Sequence, residues 1–144
     1  MNFEEFSKLA NEKIQKNPIW FQLERDAPSN DEEVIRVESN LGIQLPDEYK
    51  QFVKTYGGGY FAFSIVYSPN PNSDFPLEKI NTDNTFDTYI LFSENGSGDY
   101  YGFPVSDKKC SSSIFFWDHE SGQWNGTEYL NFYCFLADKA LSSE

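Results

Sequence analysis

The chain has 144 residues, 23 acidic against 11 basic side chains, and a net charge of −12. Its length fits a single domain over 1–144 with a real core, and 14 Phe, 9 Tyr and 3 Trp argue against disorder. The charge disfavours a direct nucleic-acid binder, which draws affinity from Lys and Arg contacts to phosphate, and suits either a strongly basic protein partner or simple solubility.

Phe3, Phe6, Ala10 and Ile14 recur at spacings of three and four, which predicts a helix over 3–16 stopped by Pro18. Trp20, Phe21 and Leu23 form an apolar knot expected to fold back onto the core. Ser29 or Asn30 can open a capping box ahead of Asp31, Glu32 and Glu33, which gives that acidic run a structural reason. Val34, Val37 and Leu41 line a second helix, with Gly42 placed to close it. Leu45-Pro46-Asp47-Glu48 starts a third, its proline in the first turn and its acids at the positive end of the helix dipole. Its buried stripe is Leu45, Tyr49, Phe52, Val53 and Tyr56, and Gly57-Gly58-Gly59 ends it.

From Tyr60 the period changes to two, which predicts a strand over 60–67, interrupted by the Pro and Asn cluster that follows Ser68. Further strands are expected over 89–92, 99–103 and 113–118, with hairpin turns at Asn95-Gly96-Ser97-Gly98 and Glu120-Ser121-Gly122-Gln123. A closing helix is expected over 128–141 with Thr127 as its cap. Helices, then antiparallel strands, then a helix make an α+β pattern.

Gly96-Ser97-Gly98-Asp99-Tyr100-Tyr101-Gly102 is not a dinucleotide fingerprint: the third glycine falls one position late and no helix opens after it. It reads as a hairpin turn in which Asp99 either bonds the turn or faces a partner. Asp118-His119-Glu120 holds the single histidine. With no second histidine and no paired cysteine, a zinc site would need an unusual ligand set, so no metal and no cofactor are expected. No motif selects a nucleophile or a carboxylate pair, and the reading is non-enzymatic. Cys110 is expected in an exposed loop and Cys134 in packing. The first residues lack an apolar leader core and no segment approaches a membrane span, which reads as a cytoplasmic protein without membrane attachment.

Between Thr55 and Asp107 seven acids stand against Lys79 alone, and 19 of the 26 aromatic residues lie from Gly57 onward. Acids on the strand loops, Asp83, Asp87, Glu94, Asp99, Asp118 and Glu120, are the candidate partner-facing charges. Tyr100 and Trp124 are the candidate aromatic anchors, Trp124 being the one best placed for exposure.

The run from Glu38 through Leu41-Gly42 and Leu45-Pro46-Asp47-Glu48-Tyr49 to Tyr56-Gly57-Gly58 resembles the motif of the SUKH superfamily. Gly98-Asp99-Tyr100, Phe116-Trp117-Asp118-His119-Glu120 and the terminal 130–136 segment follow in the expected order. The resemblance implies an α+β domain used mostly as an immunity protein against a toxin encoded beside it. Within the superfamily it points to the partners of LXG-type toxins, whose C-terminal domain is a nuclease acting on RNA. A basic phosphate-binding cleft there would suit the acidic residues named above. A regulatory module that binds a host protein shares the same features. Gly42, Leu45, Pro46, Tyr49, Phe52 and Gly57 are expected to serve folding.

Overall fold

Asn2 opens the first helix, α1 (Phe3–Lys16), through a capping box: its side chain accepts the Glu5 N–H, and Glu5 Oε1 accepts the Asn2 N–H. The computed structural model describes residues 1–22 and 25–142. After Pro18 the short α2 (Ile19–Gln22) sets Trp20 on Phe63 and buries Phe21 against Phe61. The expected knot therefore forms through these two residues, and Leu23 lies outside the described residues. Asn30, not Ser29, caps α3 (Asp31–Leu41), and Gly42 closes it in the left-handed conformation.

The turn into α4 (Asp47–Thr55) is built by Glu38. Its Oε2 accepts the Leu45 N–H at 2.8 Å and lies 3.4 Å from Lys50 Nζ. The Glu, Leu-Gly and Leu-Pro positions thus form one structural device that fixes α3 against α4. At the end of α4, Gly57 takes φ +80°, and a Cβ there would fall 2.2 Å from the Asp26 carbonyl oxygen. No side chain fits that position.

The single strand expected over 60–67 is instead a hairpin of β1 (Gly59–Phe61) and β2 (Ser64–Val66), reversing at Ala62 with φ +52°. The two-residue turn at Ala62-Phe63 shifts the phase of the alternation by one, since Phe61 and Ser64 share a face, but each strand is only three residues long and the run of apolar residues across the turn conceals the shift. α5 (Leu77–Thr82) was not anticipated, being too short for a period to show. Its buried Asn81 stands in for a neighbouring strand at the edge of β3: the side chain donates to the Leu91 carbonyl and accepts the Leu91 N–H, both at 2.8 Å.

β3 (Tyr89–Glu94), β4 (Tyr100–Ser106), β6 (Phe115–Asp118) and β7 (Gln123–Gly126) form an antiparallel sheet in that order, and β5 (Lys109–Cys110) pairs with the far end of β4. The closing helix α6 (Phe132–Lys139) is shorter than expected. Asn131 caps it by accepting the Cys134 N–H, while Thr127 donates to the Ile114 carbonyl instead.

The sheet's inner face packs on α6: Phe92 stacks on Phe103 at 4.2 Å, and Tyr101 and Phe92 meet Phe135 at 4.7 and 5.2 Å. Phe132 carries the contact on to Tyr49 and Phe52 of α4, and Phe6 ties in α1. The buried apolar residues form one continuous cluster. Cys110 belongs to it, which corrects its expected place in an exposed loop. Pairing with β4 and an N–H bond to the Gln44 carbonyl draw it inside, and burial pushes its thiol up to about 12. Cys134 is half-buried.

Candidate functional site

The strand registers place Glu94 opposite Tyr100, Tyr100 opposite Trp117, and Trp117 opposite Trp124. Residues directly opposed across antiparallel strands share a face, so these four form one row across the whole sheet. The row lies on the outer face, away from Tyr101, Phe116 and α6. Phe86 and Tyr89 join it: Phe86 meets Trp117 and Trp124 at 4.6 and 5.1 Å, and Tyr89 stacks on Trp124 at 4.0 Å and 11°. All of these aromatic residues are half-buried.

Trp124 is not the exposed anchor that its place beside a glycine turn suggested. Its ring lies over Gly102, where a Cβ would meet Cη2 at 2.9 Å, and its indole N–H is buried without an acceptor. Gly102 is the seat that lets a tryptophan lie flat on the sheet. Trp117, Phe86 and Tyr89 were missed as site residues. The signal for Trp117 was available, because a hairpin closing over 119–122 sets Trp117 opposite Trp124. Phe86 sits in a connection and carries no such signal.

At one rim the two hairpin turns are tied together. His119 points both its backbone N–H and its ring Nδ1 at Asp99 Oδ1, at 3.0 and 2.6 Å, and Asn95 Nδ2 donates to Asp99 Oδ2 at 2.8 Å. The His119 backbone N–H, then Asn95 and the His119 ring, hold the Asp99 carboxyl down at about 2. The ring's bond to Asp99 in turn raises His119, helped by the nearby charges of Glu120 and Asp118. Asp118 Oδ1 accepts the Glu120 N–H at 3.0 Å. Asp99 therefore bonds the turn, as one of its two expected roles required.

The structure brings Asp99, Tyr100, Asp118 and Glu120 together at this rim. Glu94 ends β3 beside them, its carboxylate accepting the buried Tyr67 hydroxyl at 3.0 Å. Burial and that carboxylate push the Tyr67 hydroxyl far up, so it stays a donor. Asp87 is exposed just before the opposite end of β3, next in sequence to Phe86. Asp83 stands apart at the C-terminal cap of α5.

β3, β4, β6 and β7 contain no Lys or Arg. The outer face is thus an aromatic row that ends in Glu94, while Asp99 and Asp118, next in sequence to Tyr100 and Trp117, belong to the other face of the sheet at the rim where the two hairpin turns meet. Asp99, Asp118 and His119 bring ligand atoms within 4.8 Å of one another, but Asp99 Oδ1 is already engaged by His119. Among the described residues no helix is long and apolar enough to cross a membrane.

The family model SUKH_6, described as SMI1-KNR4 cell-wall, matches residues 31–136, nearly three quarters of the chain. The chain belongs to the SUKH superfamily. No curated protein matches it. The helices, antiparallel sheet and closing helix are an α+β SUKH fold, and the match spans the elements from α3 through most of α6. SUKH proteins are generally immunity proteins rather than enzymes and bind toxin proteins, so membership fits a general immunity role for this SUKH domain.

Proposed function

We propose that this SUKH domain is a cytoplasmic immunity protein that binds a cognate LXG-type toxin and neutralises it by covering the basic active site of the toxin's C-terminal ribonuclease domain. Its likeness to YobK, the immunity partner of such a toxin, belongs to the same reading. The observation that carries it is the cluster of Asp99, Asp118 and Glu120 at the rim where the two hairpin turns meet, on a sheet whose strands β3, β4, β6 and β7 contain no base. A nuclease must present cations where phosphate sits, and those cations are what such a cluster attracts.

The mechanism is occlusion, steric and electrostatic, and needs neither a cofactor nor a catalytic residue. Asp99, Asp118, Glu120, Glu94 and Tyr100 supply one patch of the contact, with further contacts from Asp87 and Trp124. Asp83 extends the acidic border. The field of a −12 protein adds speed to encounter, which matters for an antidote that must outpace turnover.

The test is co-expression with the C-terminal domain of the toxin-like protein encoded next to this one. Restored growth together with co-elution of a stable complex supports capture. Failure of both, with an active toxin domain and a folded immunity protein, overturns the reading for that pair.

A further inference from the structure

Asn-Gly occurs twice in the chain, at Asn95-Gly96 and Asn125-Gly126, and the fold treats the two side-chain amides in opposite ways. The Cγ of an asparagine can be attacked by the backbone nitrogen of the residue that follows it. Glycine in that place offers the least obstruction, because it has no Cβ to crowd the approach. Reactivity then depends on whether the two atoms can reach a near-attack geometry, and so on how firmly the structure holds each amide.

Asn95 is held on both ends of its amide. Its Oδ1 accepts the Ser97 N–H at 2.9 Å and its Nδ2 donates to Asp99 Oδ2 at 2.8 Å, while Asp99 is itself fixed by His119. Swinging Cγ onto the Gly96 nitrogen means giving up both bonds. The tie between the two hairpin turns therefore also protects the asparagine inside it.

Asn125 has no such restraint. It is exposed, and its side-chain amide has no hydrogen-bond partner among the described residues. Its attacking nitrogen is free as well. Thr127 donates its N–H to the Ile114 carbonyl at 3.2 Å, so in the β6–β7 register Gly126 and Phe115 are a pair that exchanges no hydrogen bonds. The Gly126 N–H thus points away from β6, and among the described residues no strand lies beyond β7 to receive it. Extended backbone keeps this nitrogen away from Cγ, and rotation about the Asn125 Cα–C bond brings it round. That rotation releases the Asn125 carbonyl from Phe116 and Thr127 from Ile114, an opening at the last residue of an edge strand, where local unfolding costs least.

We propose that Asn125 is a site of spontaneous deamidation in the folded protein and that Asn95 is not. The Gly126 nitrogen bonds to Asn125 Cγ, the Cγ–Nδ2 bond breaks, and ammonia leaves with the proton that the Gly126 nitrogen gives up. Water then opens the cyclic imide on one side to an aspartate or on the other to an isoaspartate, whose main chain is longer by a methylene. Either product adds a negative charge next in sequence to Trp124. The isoaspartate also upsets the pairing of β7 with β6, since the register holds only while each residue spans the same length.

The experiment incubates the folded full chain at neutral to mildly alkaline pH and follows the peptide around each asparagine by mass spectrometry, with isoaspartate separated from aspartate by chromatography. Asn125 is expected to convert at least ~tenfold faster than Asn95, to a mixture of the two acids. In concentrated urea, which removes the bonds to Asn95, the two rates are expected to converge. Gly126→Ala tests the route: the added Cβ would meet Phe115 at 3.8 Å, an ordinary contact, so the strand keeps its shape while conversion at Asn125 falls at least ~tenfold. A folded chain in which Asn125 stays intact while both sites convert in urea overturns the inference, as does conversion of Asn95 in the folded chain at the rate of Asn125. A difference that persists in urea also overturns it, since the residues around each site and not the fold would then set the rate. Conversion of Gly126→Ala at the parent rate does so too.

Discussion

His119 and Asp99, twenty residues apart, join the β3–β4 turn to the β6–β7 turn through two contacts on one carboxylate oxygen, at 3.0 and 2.6 Å. The ring contact depends on protonation and the backbone contact does not. Asp99 titrates below its ordinary 3.8, at about 2, and His119 above its ordinary 6.5. The lowered carboxyl stabilises the fold above pH 3.8, and that contribution is lost as pH falls toward about 2. The raised imidazole stabilises it below pH 6.5, and that contribution is lost as pH rises through its folded value. The tie should therefore be tightest between those limits. Proton NMR titration of His119 should give a value above 6.5 that Asp99→Asn returns toward it; an unchanged value in the variant would refute the pairing.

Glu38 should matter to folding and not to toxin capture. Its carboxylate supplies the acceptor for the N–H of buried Leu45, so Glu38→Ala should cost about 1–3 kcal/mol, and Glu38→Gln, which keeps an acceptor, clearly less. Urea unfolding of the two variants checks the order. Equal losses would mean that the ion pair with Lys50, and not the Leu45 bond, carries the effect.

Gly57→Ala should be more severe. The positive φ and the 2.2 Å approach to the Asp26 carbonyl oxygen leave the backbone to move, and a loss above ~2 kcal/mol is expected. A thermal melt within a degree or two of the parent would show that the segment around Asp26 yields freely.

The two thiols should separate in a timed reaction with a disulfide reagent at pH 8. Cys110, buried and pushed up to about 12, should react only as the protein opens, whereas half-buried Cys134 should react first. Two fast thiols would contradict the burial of Cys110 in β5.

The helical half of the fold was legible because its signals are local. Caps at Asn30 and Gly42, Pro46 ahead of α4 and stripes at 3.6 spacing each sit within one element. What the sequence hid depends on pairings across the chain. Ala62 reverses a strand within an unbroken apolar run that hides the shift of phase, Asn81 completes a sheet edge from a helix too short to show a period, and Cys110 is buried in a two-residue strand. The candidate acids at the turns could be named one at a time, and Asp99 with Asp118 and Glu120 indeed meet at one rim. That Tyr100, Trp117 and Trp124 form a single row needed the register, which no single strand carries. The position of Trp124 was misread because its neighbour in sequence, a glycine turn, says nothing of Gly102 beneath its ring.

Capture of the toxin through the acidic rim is tested most directly by calorimetric titration of the toxin's C-terminal domain into the parent protein and into Glu94→Lys, Asp99→Lys and Glu120→Lys, at low and high salt. A tight complex, weakened at least ~tenfold by each reversal and by added salt, is the expected result. A tight complex that all three reversals leave intact would contradict the placement of the contact on this rim.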